Sequence, residues 1–236
     1  MEKVTPPPWS YSSITLFKTC PKKYYAERVT KEVKFQDSEA TLYGKAVHTA
    51  AEEYVRDGKA LDPKYQFIEP VLRGLKAVEG EKLCELKVGI KRTGDSYEPC
   101  DFFDPDVWFR GVADLVILRE TSAFVVDFKT SKSSRYADST QLALMALAVF
   151  LKYPDIQYIN AALLFLVVGA HGAHVNEWFI KEKYTRDKMY GVIADLYPLL
   201  KQRIECYNSG TFPATRNGLC KAWCQVSDCI HHGKGR

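Results

Sequence analysis

Two aspartates and a lysine near the ends of two consecutive predicted strands have the chemistry of a hydrolytic metal centre. Asp127 and Lys129 are two residues apart in a strand and therefore share a face, and hairpin pairing can bring Asp114 beside them. Hard divalent cations take oxygen ligands and generate a nucleophilic water near neutral pH. The two carboxylates and the backbone carbonyl of Phe128 would form part of a cation shell, and Lys129 would orient the water or stabilise negative charge. This set predicts phosphodiester hydrolysis.

The alternative is a solvated strand end or a simple ion pair, because an Asp-x-Lys triplet is common by chance. The flanking residues favour the functional interpretation. Val125 and Val126 precede Asp127 in an apolar strand, and Asp114 interrupts another apolar strand. An unpaired charge beside a core is costly, which favours a shared ion or a catalytic role.

The elements that must position these residues follow from the pattern of apolar residues. Helical spacing predicts a short helix capped by Ser12 or Ser13 and ending at Thr19, and longer helices at 41–56, 63–78, 136–151 and 184–207. Runs of β-branched and aromatic residues predict strands at 83–90, 107–118, 123–128, 161–168 and 173–180. The order of these elements predicts an α/β fold with a central mixed β-sheet flanked by helices.

Length and composition set limits on the fold. The chain has 236 residues, 46% of them hydrophobic, so we expect a flexible Pro-rich arm at 1–9 and a single domain at 10–236. No stretch of about 18 uncharged apolar residues occurs, so we expect no membrane span. Because Pro6–Pro8 follow Met1 without an apolar segment, we expect no signal peptide and a cytoplasmic protein. The net charge of +4 is compatible with a polyanionic partner but does not indicate one.

Four short motifs in a fixed order carry a resemblance to a known family. They are GKAVH at 44–48, RGVAD at 110–114, VVDFK at 125–129 and QLALMAL at 141–147. In this order they resemble the PD-(D/E)XK nuclease superfamily, in its RecB-like branch, over most of the chain. Each motif alone is weak, and the four together are fairly specific. The resemblance implies a restriction-endonuclease-like core and Mg²⁺ or Mn²⁺ as the catalytic cation.

The resemblance also implies a role for each matching residue. His48, on a predicted helix, matches a histidine that contributes to metal binding, although a lone histidine on such a helix is usually structural. Asp114 and Asp127 match the metal-binding carboxylates, and Lys129 matches the catalytic lysine.

Three further positions carry over less directly. Gln141 matches a glutamine that fixes the active site or contacts DNA, and the alternative is an ordinary surface amide. Met145 stands where the family often has tyrosine, which puts an aromatic role at this position in doubt. Glu85, on the strand before Asp114, is similar to an accessory acidic metal ligand of some relatives, and a plain surface position is the alternative.

Seven cysteines, an odd number in a chain without an export signal, argue against a disulfide framework. Some RecB-like nucleases hold an iron–sulfur cluster with one N-terminal and three C-terminal cysteines, as arranged here, although the C-x3-C-x4-C spacing departs from their usual C-x2-C-x5-C. The resemblance therefore implies a [4Fe–4S] cluster that packs the tail, 210–236, on the N-terminal segment. Zn²⁺, for which His231 and His232 offer nitrogen ligands, and free thiols are the alternatives. The four cysteines are Cys20, Cys220, Cys224 and Cys229.

Basic and aromatic residues at two places predict contacts with DNA. Lys22, Lys23 and Tyr24 form one group, and Lys132 and Arg135 follow the active strand, where they are placed to hold phosphates. A solvated charged surface is the alternative for each of them. Because no sequence-reading motif is present, we expect salt-sensitive binding led by the DNA backbone.

The sequence as a whole predicts a metal-dependent DNA exonuclease that acts on DNA ends or single strands in recombination, repair or replication, of a bacterial or phage type. A structure-specific endonuclease and a non-catalytic DNA-binding subunit are the alternatives. The resemblance implies DNA as the partner, with a single-strand annealing protein or a helicase as a companion.

Overall fold

The chain divides into two compact units in the computed structural model. Residues 37–192 form one, called here the sheet unit, and residues 1–36 with 193–236 form the other, called the terminal unit. The structure describes residues 6–34, 37–131, 138–169, 172–175 and 179–234. No helix in these ranges is long and apolar enough to cross a membrane.

Helices and strands alternate along the chain. The helices are α1 (Tyr11–Thr19), α2 (Pro21–Tyr24), α3 (Glu39–Asp57), α4 (Glu69–Ala77), α5 (Thr140–Lys152) and α6 (Gly191–Ser209). The strands are β1 (Glu81–Thr93), β2 (Ser96–Cys100), β3 (Val107–Leu118), β4 (Ser122–Lys129), β5 (Tyr158–Phe165), β6 (Val168–Gly169), β7 (Gly172–Val175) and β8 (Phe179–Thr185). A π-helical turn at Tyr25–Val29 and 3₁₀ turns at Pro63–Ile68, Arg186–Lys188 and Gly218–Cys220 complete the described elements.

A six-stranded sheet forms the centre of the sheet unit. Its strand order is β2-β1-β3-β4-β5-β8. All neighbours are antiparallel except β4 and β5, which are parallel and are connected through α5. Parallel neighbours require such a crossover, whereas antiparallel strands can be joined by short turns.

Helices cover both faces of this sheet. Helices α3 and α4 pack on a core that includes Leu115, Val126 and Phe128. Asp127 lies between Val126 and Phe128 and therefore points to the opposite face, where it contacts Gln141 of α5. A mixed sheet flanked by helices confirms the predicted fold class.

A buried arginine organises the terminal unit. Arg203 of α6 is 6% exposed, and it donates hydrogen bonds to the Tyr24 hydroxyl at 3.0 Å and to the Pro7 carbonyl. Its guanidinium carbon lies 3.9 Å from the centroid of the Trp9 ring. Trp9, which falls in the expected Pro-rich arm, is buried. Residues 1–5 of that arm lie outside the described residues.

The predicted α-helices begin at residues other than those expected, and two of these differences have a clear physical cause. The first begins at Tyr11 because Ser10, rather than Ser12 or Ser13, caps it. The helix predicted at 184–207 was wrong in its first part, since Phe179–Thr185 is strand β8 and α6 begins at Gly191. Pairing of β8 along β5 outweighs the helical spacing of these strand-forming residues.

Candidate active site

Three carboxylates lie at one level of the sheet, on three neighbouring strands. Glu85 of β1 falls opposite Asp114 of β3, and Asp127 of β4 also falls opposite Asp114. The β1–β3 ladder omits the pair of Glu85 with Asp114, and the β3–β4 ladder ends at the pair of Leu115 with Val126. The hairpin register therefore places the two predicted aspartates side by side, at the point where their strands separate.

Gln141 connects Asp127 with Lys129. From the first turn of α5, its side-chain amide donates to Asp127 Oδ1, and its Oε1 accepts from Lys129 Nζ at 2.8 Å. The Lys129 ammonium also contacts Asp127 Oδ2. Alternation along β4 puts Asp127 and Lys129 on one face, and the start of α5 brings Gln141 onto both. The three side chains thus fix one another.

Asp127 is a buried carboxylate with an incomplete set of partners. Burial, together with the negative charge of Asp114, raises its pKa from 3.8 to about 6, and the nearby ammonium of Lys129 opposes this rise. Its Oδ2 lies beside that ammonium, yet no donor in the described chain makes an aligned hydrogen bond to it. A buried carboxylate oxygen without an aligned donor is the kind of atom that a cation would satisfy.

Asp114 fills the gap that opens between β3 and β4. Its Oδ2 accepts a hydrogen bond of 2.6 Å from the backbone N–H of Phe128, which has left the β3–β4 ladder. Its Oδ1 lies 3.3 Å from Nδ1 of His48 on α3. Burial lowers the pKa of His48, but the hydrogen bond and charge of Asp114 outweigh burial, and the pKa is raised. Asp114 therefore joins the strand end to α3.

Gly44, one helical turn before His48, lets α3 approach the end of β4 closely. A Cβ atom at this position would lie 3.0 Å from Thr130 Oγ1, at the limit of ordinary side-chain contacts. The glycine and histidine of the GKAVH motif therefore act together, since close approach of the helix is what brings His48 to Asp114.

An open cleft of about 610 Å³ lies beside Asp114, with His48, Glu52, Glu85 and Thr130 among its lining residues. Glu85 has a left-handed backbone, with φ of 50°, which is uncommon for residues other than glycine. Burial, followed by the charges of Asp114 and Glu52, raises the pKa of Glu85. The cleft is thus acidic at the level of the two aspartates.

Glu52 is a cleft residue that the sequence analysis did not single out. It follows His48 by four residues on α3 and therefore lies on the same side of the helix. Its carboxylate accepts a hydrogen bond from Arg56, one further turn along. The four-residue spacing from the matched histidine is the signal that could have identified it.

Asp114 and Asp127 form only part of a cation site. No three His, Cys, Asp or Glu side chains in the described ranges are arranged to hold a metal ion by themselves. Asp114 and Asp127 still fit a hard cation, because Mg²⁺ commonly takes one or two carboxylates and completes its shell with water and substrate phosphate. The incompletely satisfied Oδ2 of Asp127 points to the same conclusion.

The four predicted cysteines line one small cavity in the terminal unit. Two of them receive backbone hydrogen bonds, from Thr215 N–H to Cys20 Sγ at 3.4 Å and from Asn217 N–H to Cys220 Sγ at 3.5 Å. Backbone N–H groups directed at sulfur stabilise thiolates that bind metal. The cavity lining comprises Cys20, Cys220, Cys224 and Cys229 together with seven other residues, and includes neither His231 nor His232.

The residues predicted to bind DNA differ in how accessible they are. Lys22 pairs with Asp228 at 2.7 Å, and this hydrogen bond raises the pKa of Lys22. Lys23 lies 3.4 Å from Glu27. Tyr24 is fully buried, which leaves no ring face open to a base. The other two predicted residues, Lys132 and Arg135, lie outside the described residues.

Comparison with known proteins identifies the family. No curated protein matches the chain. A solved structure of a "putative exonuclease" from Eubacterium rectale matches with a TM-score of 0.54 and 12% identity, over 97% of this chain and 89% of its own. The protein SSO0001 matches with a TM-score of 0.43 and 13% identity, over 89% of this chain and 88% of its own. The model of the PD-(D/E)XK nuclease superfamily matches residues 8–229, and the chain belongs to this superfamily, as the sequence motifs predicted.

Proposed function

We propose that this chain is an Mg²⁺- or Mn²⁺-dependent DNA exonuclease that acts at DNA ends or in single strands. The observation that carries the proposal is the position of Asp114 opposite Asp127 where β3 and β4 separate, with Lys129 in contact with Asp127 and an open cleft lined by Asp114. Similarity of fold to the Eubacterium rectale protein, which is named as an exonuclease, supports exonuclease action by analogy. The family resemblance implies that this chain acts in recombination, repair or replication, with a single-strand annealing protein or a helicase as a companion.

A divalent cation bound here would supply a nucleophilic water and offset the charge that develops on the phosphate. Asp114 and Asp127 would hold it, together with the backbone carbonyl of Phe128. The N–H and C=O of a strand residue point to the same side, and the N–H of Phe128 faces Asp114, so its carbonyl lies on that side too. His48 positions Asp114 from the other side.

Lys129 supplies a positive charge that belongs to the protein itself and not to the bound metal. Its ammonium is held between Gln141 and Asp127, and a fixed cation beside a reacting phosphate stabilises charge that develops in the transition state. Gln141 is a positioning residue, since its own contacts are with Asp127 and Lys129.

The test is cleavage of end-labelled linear DNA and circular single-stranded DNA, with Mg²⁺, Mn²⁺ or EDTA. We expect the wild-type protein to degrade linear DNA with either metal, to leave circles intact and to be inactive in EDTA. Asp127→Ala should abolish cleavage, and Lys129→Met should lower kcat about 100- to 1,000-fold. Asp155→Asn, an exposed aspartate outside the cleft, is the matched control and should cleave normally.

Three results would contradict different parts of the proposal. If the wild-type protein cuts no DNA with either metal, the nuclease proposal fails. If Asp127→Ala cuts normally, the hydrolytic centre lies elsewhere. If circles are cut as fast as linear strands, the protein is an endonuclease of the same chemistry.

We also propose that the four-cysteine cavity holds a [4Fe–4S] cluster in place of Zn²⁺. Four sulfurs line one cavity and two of them accept backbone hydrogen bonds, which supports a thiolate site. Within the described residues the sulfurs are not arranged to hold an ion by themselves, so binding would draw them together. Four thiolates suit iron and Zn²⁺ alike, and the family resemblance of one N-terminal and three C-terminal cysteines favours the cluster. Elemental analysis of anaerobically purified protein should find iron without zinc, together with broad visible absorption. Cys220→Ser should lose both, and zinc in the wild-type protein would contradict the cluster.

A further inference from the structure

Two phenylalanines and two cations form a group near the cleft, called here the aromatic–basic platform: Lys87, Phe102, Phe103 and Arg110. Lys87 and Phe103 are exposed, and Phe102 and Arg110 are half-buried. Lys87 Nζ lies 5.9 Å from the centroid of the Phe102 ring and 5.8 Å from that of Phe103. The Arg110 guanidinium carbon lies 5.3 Å from the Phe102 centroid, within the range of cation–π attraction. The two rings meet edge to face, 5.0 Å apart.

The platform and the cleft lie on the same face of the sheet. Lys87 of β1 pairs with Val112 of β3, and Val112 lines the cleft. Directly paired residues share a face, and Arg110 precedes Val112 by two residues, so both cations are on the cleft side. Four residues separate Arg110 from Asp114, about 13 Å at roughly 3.3 Å per strand residue. A strand that leaves the cleft along β3 would cross the platform.

Gly89 explains how the loop that bears the two phenylalanines reaches this position. It pairs with Arg110, and a Cβ atom on it would lie 2.8 Å from the Cys100 carbonyl oxygen and 2.7 Å from that of Asp101. Only a residue without a side chain lets the backbone cross β1 so closely, and Phe102 follows directly. The sequence therefore builds the platform through a specific close approach.

Phe103 is 75% exposed, although burial of its ring would be favourable. Exposed aromatic rings next to cations and beside a cleft are typical of surfaces that stack on unpaired bases. The same loop carries Asp101, Asp104 and Asp106, so its net charge does not attract phosphates. Ring faces, with Lys87 and Arg110 behind them, are its recognition chemistry.

We propose that the aromatic–basic platform binds a few unpaired nucleotides of the DNA strand next to the bond being cut, with a base stacked on Phe103. This inference rests on the proposed nuclease function, because it assigns the path of that substrate. Stacking tolerates any base, so the platform adds affinity for single strands without sequence preference.

The test compares Phe103→Ala and Phe103→Tyr with the wild-type protein. Binding of fluorescently labelled oligothymidine of about 16 nucleotides, at the upper end of single-strand site sizes, is measured in EDTA by anisotropy. Loss of one stacking contact should weaken Kd about 5- to 150-fold for Phe103→Ala, and Phe103→Tyr should retain wild-type affinity. The matched control is Tyr158→Ala, which removes a 60% exposed ring at the opposite end of the sheet, beside Ser122, and should bind normally.

Cleavage separates this inference from the proposed function. With Mn²⁺, Phe103→Ala should show a raised KM on the oligonucleotide of about 16 nucleotides and an unchanged kcat/KM on one of about 4, too short to span both regions. A wild-type protein that cuts no DNA overturns both proposals. A wild-type protein that cuts normally, with a Phe103→Ala variant that binds and cuts the long substrate equally well, overturns the platform alone and leaves it as a protein-docking surface.

Discussion

Replacing Asp127 by asparagine should stabilise the metal-free protein while it removes catalysis. The Asp127 side chain is buried, and burial with the charge of Asp114 raises its pKa from 3.8 to about 6. At pH 8 the folded protein therefore holds a charge that is less favourable than in the unfolded chain. Asparagine keeps the shape, can still accept the hydrogen bond from Gln141, and carries no charge.

The size and pH dependence of this effect follow from the two proton affinities. A difference of one pKa unit corresponds to about 1.4 kcal/mol. The rise in the pKa of Asp127 from 3.8 to about 6 therefore corresponds to about 3 kcal/mol of lost stability at a pH above both pKa values. The amide of the variant also needs a partner, so we expect a gain of about 1 to 3 kcal/mol. Because the folded pKa is the higher one, the wild-type protein loses this stability as the pH rises from about 4 through about 6. The gain of Asp127→Asn should therefore be absent near pH 4 and complete near pH 8.

Urea unfolding in EDTA, at both pH values, measures this difference in the free energy of unfolding. Asp155→Asn, which removes an exposed carboxylate, should show no gain at either pH. Mn²⁺ at about 1,000 times its Kd should reverse the order, because it would add about 4.1 kcal/mol to the wild-type protein and the variant lacks one of the carboxylates that would bind it. A variant that is less stable at pH 8, or equally stabilised at both pH values, would refute the reasoning about the buried charge.

Other substitutions test neighbouring features. Gln141→Ala should lower kcat about 10- to 100-fold with KM little changed, measured on linear DNA, and an unchanged kcat would show that it positions nothing. Gly89→Ala should cost about 1 to 3 kcal/mol in urea unfolding, because its Cβ would meet backbone oxygens. Gly74→Ala, in an open position on α4, should instead gain about 0.5 to 1 kcal/mol, and equal effects at the two glycines would contradict this reasoning. Arg203→Met should cost about 2 to 4 kcal/mol in the same assay, since it removes the guanidinium that donates to the Pro7 carbonyl and to the Tyr24 hydroxyl. A smaller loss would mean that other donors, such as the Tyr207 hydroxyl, replace it.

The acidic pair could be predicted from sequence because strand periodicity and a short turn determine it. The predicted strand at 107–118 has the observed bounds, and the hairpin register follows from the turn before Ser122. Asp114 and Asp127 then have to fall opposite each other. The residue pattern of this one hairpin was therefore enough to predict that the two aspartates lie opposite each other.

The contacts of Gln141 and the backbone of Glu85 could not be predicted in the same way. The bridge from Gln141 to Lys129 depends on where α5 begins above the sheet, which is set by packing across the whole face. Glutamate gives no sequence signal for a positive φ, since glycine and asparagine are the residues expected there. The cavity shared by Cys20 and Cys220 likewise joins segments about 200 residues apart, and only the family resemblance suggested it.

The row of Glu85, Asp114 and Asp127 shows why the sheet opens where it does. Full ladder pairing would hold three carboxylates side by side, and burial together with the charge of Asp114 already raises the pKa of both neighbours. The β1–β3 and β3–β4 ladders give up their backbone pairs at this level, and Glu85 takes a left-handed backbone. Strain and like charge of this kind persist only where something offsets them. A divalent cation between the strands would offset both, so metal binding should stabilise the sheet most strongly at these residues.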